Sequence, residues 1–178
     1  MSLLPLNQAL IAELRMEAAN TRKLLANVPE GKNSWKPHEK SMTLGRLASH
    51  VAELPGWITM TMNTDQLDFA AFDYKPNIPE TNAELLGLLD KTVDEALAAL
   101  ERASPEDFAK MWSLRNGEKV FFTMPKVAVL RSFSLSHLYH HRGQLSVYLR
   151  LLDVPVVGMY GPSADEVSAV ASAAAANN

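Results

Sequence analysis

Apolar residues that recur every three to four positions over long stretches constrain this chain more than any other feature. Only a helix with one buried face produces that spacing. Leu3, Leu6, Leu10, Leu14, Ala18, Thr21, Leu25 and Val28 form the first stripe, which Pro29-Glu30-Gly31 ends. A second stripe starts after Ser41 with Leu44, Leu47, Val51, Leu54 and Ile58. Pro55 lies inside it and leaves the Val51 carbonyl without its usual donor, which predicts a kink. Thr81-Asn82-Ala83-Glu84 is a capping-box sequence heading a third helix through Leu85, Leu88, Leu89, Thr92, Ala96 and Leu100. Pro125 opens a fourth that runs to about Leu152 and ends before Pro155. Four amphipathic segments with little strand predict an all-α fold, an antiparallel four-helix bundle whose order of neighbours stays open.

The connections carry their own signals. Asp65 to Pro79 reads as a long loop, Ser104-Pro105-Glu106-Asp107 as the cap of a short helical turn, and Asn116-Gly117 as the turn of a small hairpin. The 178 residues suit one domain, expected over 1–168, followed by an Ala-rich tail over 169–178.

Composition narrows the function. With 17 Lys+Arg against 20 Asp+Glu and a net charge of −3, the chain has no electrostatic footprint for nucleic acid or an anionic membrane. It has no cysteine, which removes disulfides, thiolate metal sites and a cysteine nucleophile and fits a reducing cytoplasm. No apolar run approaches the ~18 residues of a membrane span. The first positive residue is Arg15, so a secretory signal is not expected. Neither a Gly-rich phosphate loop nor a G-x-S-x-G elbow occurs.

Chemistry concentrates in the histidines: His38, His50, His137, His140 and His141. The fourth helix's inner stripe reads Leu130, Ser134, His137, His141, Gln144, Tyr148 and Leu151, with imidazoles where Leu or Ile would pack best. Residues four apart differ by ~40° in direction and ~6 Å in height, so His137 and His141 can aim at one point. His50 faces inward between Leu47 and Leu54, and bringing the two helices together sets three nitrogens around one ion. The bland alternative is a set of core histidines bonded to carbonyls or carboxylates, and the spacing alone leaves it open. Against it stands the cost of an unpaired ring nitrogen in a core, roughly 1–3 kcal/mol each.

The run His137-Leu-Tyr-His-His-Arg-Gly-Gln-Leu-Ser-Val-Tyr-Leu-Arg150 resembles the signature of the DinB/YfiT-like family. The same is true of Tyr160-Gly-Pro-Ser-Ala-Asp-Glu166 and of Thr43-Leu-Gly-Arg-Leu-Ala-Ser-His50-Val-Ala-Glu-Leu-Pro55. The family is the damage-inducible metalloprotein group, not the DNA polymerase of that name. The resemblance implies a four-helix bundle, often homodimeric, that holds a divalent metal through His50, His137 and His141, with His140 a non-ligating histidine on a neighbouring face. Val156-Val157 stands where many relatives have a second proline, which bears on the closing loop only.

Three neutral imidazoles suit zinc or nickel, and iron less well for want of a carboxylate, and they leave open positions where a water becomes more acidic or a thiol binds as thiolate. Characterised relatives resemble S-transferases or isomerases using a low-molecular-weight thiol such as bacillithiol or mycothiol. A metal-dependent transferase or hydrolase acting on a small molecule is therefore the first expectation. The second is a non-catalytic dimeric module for stress response or small-ligand binding with a structural metal. Around the site, Glu53 reads as a ring holder or, more simply, a surface charge; Gln144 and Tyr148 either orient substrate or pack as buried polar groups. Gly143 suggests a close backbone approach, Arg142 and Arg150 a solvated face or, less simply, a site for an anion or a partner chain, and Trp35, Trp57 and Trp112 core or interface packing. His38 is expected at the surface, and the Tyr160–Glu166 segment either as a lid or as a subunit contact.

Overall fold

The computed structural model describes residues 4–71 and 74–169. The chain is mostly helical, at 59%, with a small mixed three-stranded sheet set among the helices. The first stripe forms α1 (Leu6–Leu25), which places Leu10, Leu14, Leu24 and Leu25 in the core. Leu6 is exposed, and Glu17 is buried. The Ala-rich end from residue 170 onward lies outside the described residues.

At Pro55 the second helix breaks rather than bends, giving α2 (Leu44–Glu53) and α3 (Gly56–Asn63). Across the break, Trp57 N–H reaches the Leu54 carbonyl at 3.2 Å and Ile58 N–H the Pro55 carbonyl at 2.9 Å, a tighter ladder than the α-helical one. Hydroxyls from other helices satisfy two carbonyls here: Thr92 Oγ1 donates to Ala52 at 2.6 Å and Ser134 Oγ to Leu54 at 3.0 Å. The proline's disruption thus becomes a pair of cross-helix fastenings.

The third stripe forms α4 (Asn82–Arg102), headed by the capping box of Thr81 and Glu84. Asn82 Nδ2 also donates to the Leu25 carbonyl at 2.8 Å, tying the start of α4 to the end of α1. α4 packs against α1, α2 and α3, with Leu85, Leu89, Ala96 and Leu100 facing inward.

The short turn after Ser104 is α5 (Pro105–Ala109). The expected hairpin is present as β2 (Met111–Asn116) and β3 (Lys119–Pro125), turning through Gly117 at φ +58°. The 65–79 connection is not wholly a loop, contrary to the expectation from its turn-rich sequence: β1 (Gln66–Asp68) adds to β2 in parallel, pairing Leu67 with Leu114. Asp68 Oδ1 accepts the Gly117 N–H at 2.8 Å, so a polar contact between loops recruits this strand where no alternating pattern marks it. The sheet rests on the helices through Trp112, Leu114 and Val129, with Trp112 fully buried.

The fourth segment is not uniform. After α6 (Lys126–Val129), residues Leu130–Ser136 form a π-helical stretch, and then comes α7 (His137–Leu151). The wider π turn rotates α7 about its axis. Leu138, His141, Arg142, Leu145 and Leu149 are the buried positions of α7, while Gln144 and Leu151 are exposed. Gly143 is exposed with open space around it, so the close approach expected there does not occur. A close approach exists instead at Gly158, where a Cβ would run into the Gly161 carbonyl oxygen.

Candidate metal centre

α2 packs against α7, and this contact brings His50 to His137 and His141. Their ligand atoms all lie within 4.8 Å of one another. His137 Nε2 is central, 3.3 Å from His50 Nε2 and 2.9 Å from His141 Nε2. Imidazole nitrogens at ~2.0–2.1 Å from a tetrahedral ion would stand about 3.3 Å apart, so the spacing suits one cation. Among the described residues no further His, Asp or Glu joins the group. His140 is exposed, and His38 lies in the exposed loop before α2.

The outer nitrogens decide what the inner ones can do. His141 Nδ1 faces Gln144 Oε1 at 2.7 Å, so Nδ1 carries the proton and Nε2 presents its lone pair. The Phe133 carbonyl favours a protonated outer nitrogen on His137. It stands four residues back, where an α-turn would give it the His137 N–H, but that N–H goes to Ser134 instead. This tighter bond at the end of the π stretch leaves the Phe133 carbonyl available to the ring. His50 Nδ1 has the Glu53 carboxylate 3.9 Å away. Arg46 Nη2 is 3.5 Å from the same nitrogen, a marginal contact, and bonds more closely to Tyr74 Oη at 2.8 Å. Without a cation the three inner nitrogens have mainly one another as partners, at 2.9 and 3.3 Å, whereas one cation between them could take a lone pair from each ring. The residues present fit a divalent metal.

Electrostatics point the same way. Burial, with smaller contributions from His50, His137 and His140, takes His141 down to about 4 against the pull of Gln144, and burial together with His50 lowers His137. Both rings are neutral near pH 7, the form that ligates metal. Burial alone would raise the Glu53 carboxyl, but His50, Tyr74 and Arg46 together hold it below its ordinary value. Burial and Glu53 push the Tyr74 hydroxyl up to about 12. Glu53 is accordingly an ionised member of a network rather than a free surface charge. Its Oε2 accepts from Tyr74 at 2.7 Å and from Arg46 Nη1 at 3.2 Å.

His50 opens onto a pocket of about 330 Å³ walled by Trp57 and Met60 from α3, Leu67 and Phe69 from the β1 region, and Tyr74. Trp57 is thus a pocket wall as well as a packing residue. Trp112 is core, and Trp35 meets Tyr148 edge-on at 5.5 Å. Tyr148 donates to the Met42 carbonyl at 3.3 Å, a packing role.

Sequence reasoning reached the three histidines and two of their neighbours, because Glu53 and Gln144 each sit three residues after a histidine on the same helix face. It missed Arg46 and Tyr74, which meet Glu53 only in the folded chain. It also misplaced Arg142, which is buried and paired with Glu17 at 2.6 Å. Arg150 is exposed as expected and forks onto Asp165. Tyr160 bonds Glu17 and Arg142 and is no wall of the pocket beside His50.

Comparison with known proteins bears on the family and the fold. The DinB family model matches residues 4–172. An uncharacterised protein, YrdA, of Bacillus subtilis strain 168 is 30% identical over 154 residues, 84% of this chain and 85% of that protein. The crystal structure of a DinB-like protein from Bacillus subtilis superposes with a TM-score of 0.66 at 18% identity, covering 86% of this chain and 98% of that one. A second, from Bacillus cereus ATCC 10987, gives 0.64 at 21% identity, covering 84% and 94%. Those two structures show a shared fold, and the match of nearly the whole chain to one family model carries the assignment: the chain belongs to the DinB family.

Proposed function

We propose that the protein binds one divalent metal ion through His50, His137 and His141 and uses it on a small-molecule substrate, as a thiol-dependent S-transferase or isomerase or as a hydrolase. The observation that carries this reading is the convergence of three Nε2 atoms, with Gln144 and the Phe133 carbonyl as acceptors for the outer nitrogens of His141 and His137. Zinc or nickel suits three imidazoles best, iron less so. When bound, the metal supplies Lewis-acid activation of a water or thiol beside it.

The chain's own residues do the rest. Gln144 holds His141 in the ligating tautomer, Glu53 places a carboxylate beside His50, and Arg46 and Tyr74 hold Glu53. With three protein donors and no fourth among the described residues, the site favours chemistry over a purely structural metal. The reading includes a single domain over 1–168, its long helices an antiparallel four-helix bundle, acting as a cytoplasmic homodimer. Light scattering tests the dimer.

Elemental analysis of untagged protein tests the metal. One zinc or nickel per chain is expected, falling below about a tenth in His137→Ala, which removes the central nitrogen. Substoichiometric metal that does not rise on adding either ion overturns the reading. A screen of thiols against electrophiles separates transfer from hydrolysis. X-ray absorption showing a fourth protein ligand would favour the non-catalytic module.

A further inference from the structure

The pocket beside His50 has mostly apolar walls. Trp57, Met60, Leu67 and Phe69 are apolar, and among the described residues of the wall the carboxylate and the guanidinium, Glu53 and Arg46, neutralise each other at 3.2 Å. The Arg46 guanidinium already donates to Ser49, Glu53 and Tyr74. An anion entering here would have to break those bonds, and a cation would have to displace Arg46 from Glu53. Along the walls, away from the histidine end, these side chains favour neither sign of charge. The volume of about 330 Å³ lies at the low end of the ~300–1,000 Å³ of small-molecule sites and is too small for a folded partner. Phe69 and Tyr74 stand at the rim 44% and 46% exposed, large rings that a ligand would cover. The other cleft near α2, among Val28, Asn33, Pro79 and Leu85, encloses only about 10 Å³.

We propose that this pocket binds an uncharged, largely apolar small molecule, its body between Trp57, Met60, Leu67 and Phe69 and its polar end at His50. As the substrate site of a metal-dependent enzyme it rests on the function proposed for the three histidines. It also implies that a polar thiol co-substrate approaches the histidines from another side.

Prodan, an uncharged naphthalene ketone whose emission reports polarity, is the probe, with anilinonaphthalene sulfonate as its anionic counterpart. Prodan should bind at one site with a blue shift, and the sulfonate at least about ten-fold more weakly. Phe69→Asp and Met60→Trp should each weaken prodan at least about ten-fold, the first by placing a carboxylate at the rim, the second by filling the space. Phe69 is exposed, so a thermal melt close to the parent's is expected for Phe69→Asp and guards against misfolding. Equal prodan binding by both variants, or equal binding of the sulfonate, overturns the proposal. Zinc content of the same samples separates the two readings. Prodan bound by a parent protein that takes up no zinc sinks the metal reading while leaving the pocket, and zinc kept without a prodan site sinks the pocket.

Discussion

Glu17→Gln is the sharpest test of what holds α7, and with it His141, against α1. Arg142 and Glu17 are 2% and 3% exposed and 2.6 Å apart. Arg142 Nη1 also donates to the Glu17 carbonyl and to Thr21 Oγ1, each at 3.2 Å, while the Tyr160 hydroxyl donates to the Glu17 carboxylate at 3.0 Å. Glutamine keeps the shape and removes the charge, leaving a guanidinium with no other anion in contact among the described residues. Breaking a buried pair from one side costs about 3–5 kcal/mol, against a total stability on the order of 5–15 kcal/mol. For a chain of this size that corresponds to a loss on the order of 10 °C in Tm. Urea unfolding monitored by circular dichroism should show this loss in Glu17→Gln and a similar one in Arg142→Met. The double variant Glu17→Leu/Arg142→Met should recover most of it, because the desolvation cost disappears with both charges. A Glu17→Gln protein within about 1 kcal/mol of the parent would refute the reasoning, since it would mean that water reaches the pair.

Single contacts set three further outcomes. Gln144→Ala removes the acceptor of His141 Nδ1 and should weaken zinc binding about 10–100-fold in a competition titration, with little change in the metal-free Tm because Gln144 is exposed. Ser134→Ala removes one of the two donors to the Leu54 carbonyl at the break between α2 and α3, leaving only Trp57 N–H, and should destabilise by about 0.5–1.5 kcal/mol in the same urea assay. The Arg150 fork and the Val156 N–H hold Asp165 down at about 2. Because its folded pKa lies below the unfolded value near 3.9, its contribution is present above that value and is lost as pH falls through about 2. The stability gap between parent and Asp165→Asn should therefore be seen at pH 5 and close near pH 2, and a constant gap would contradict the assignment.

Periodicity located the helices because amphipathic spacing is a local property, written within a few turns of chain. It could not reveal β1, whose three residues are recruited by Gly117 through Asp68, a partner 49 positions away. Nor could it reveal the π stretch, which rotates α7 so that Gln144 leaves the inner stripe yet still reaches His141. The buried Arg142 looked like a surface cation because its partner lies in α1.

By itself the sequence determined that helices would dominate and that three histidines would stand on inward faces, since spacing along a helix sets direction. The tertiary structure alone decided which nitrogen of each ring faces inward, what holds it so, and that His50 opens onto an apolar pocket. Those features depend on groups brought together across the fold, where distance through space bears no relation to distance along the chain.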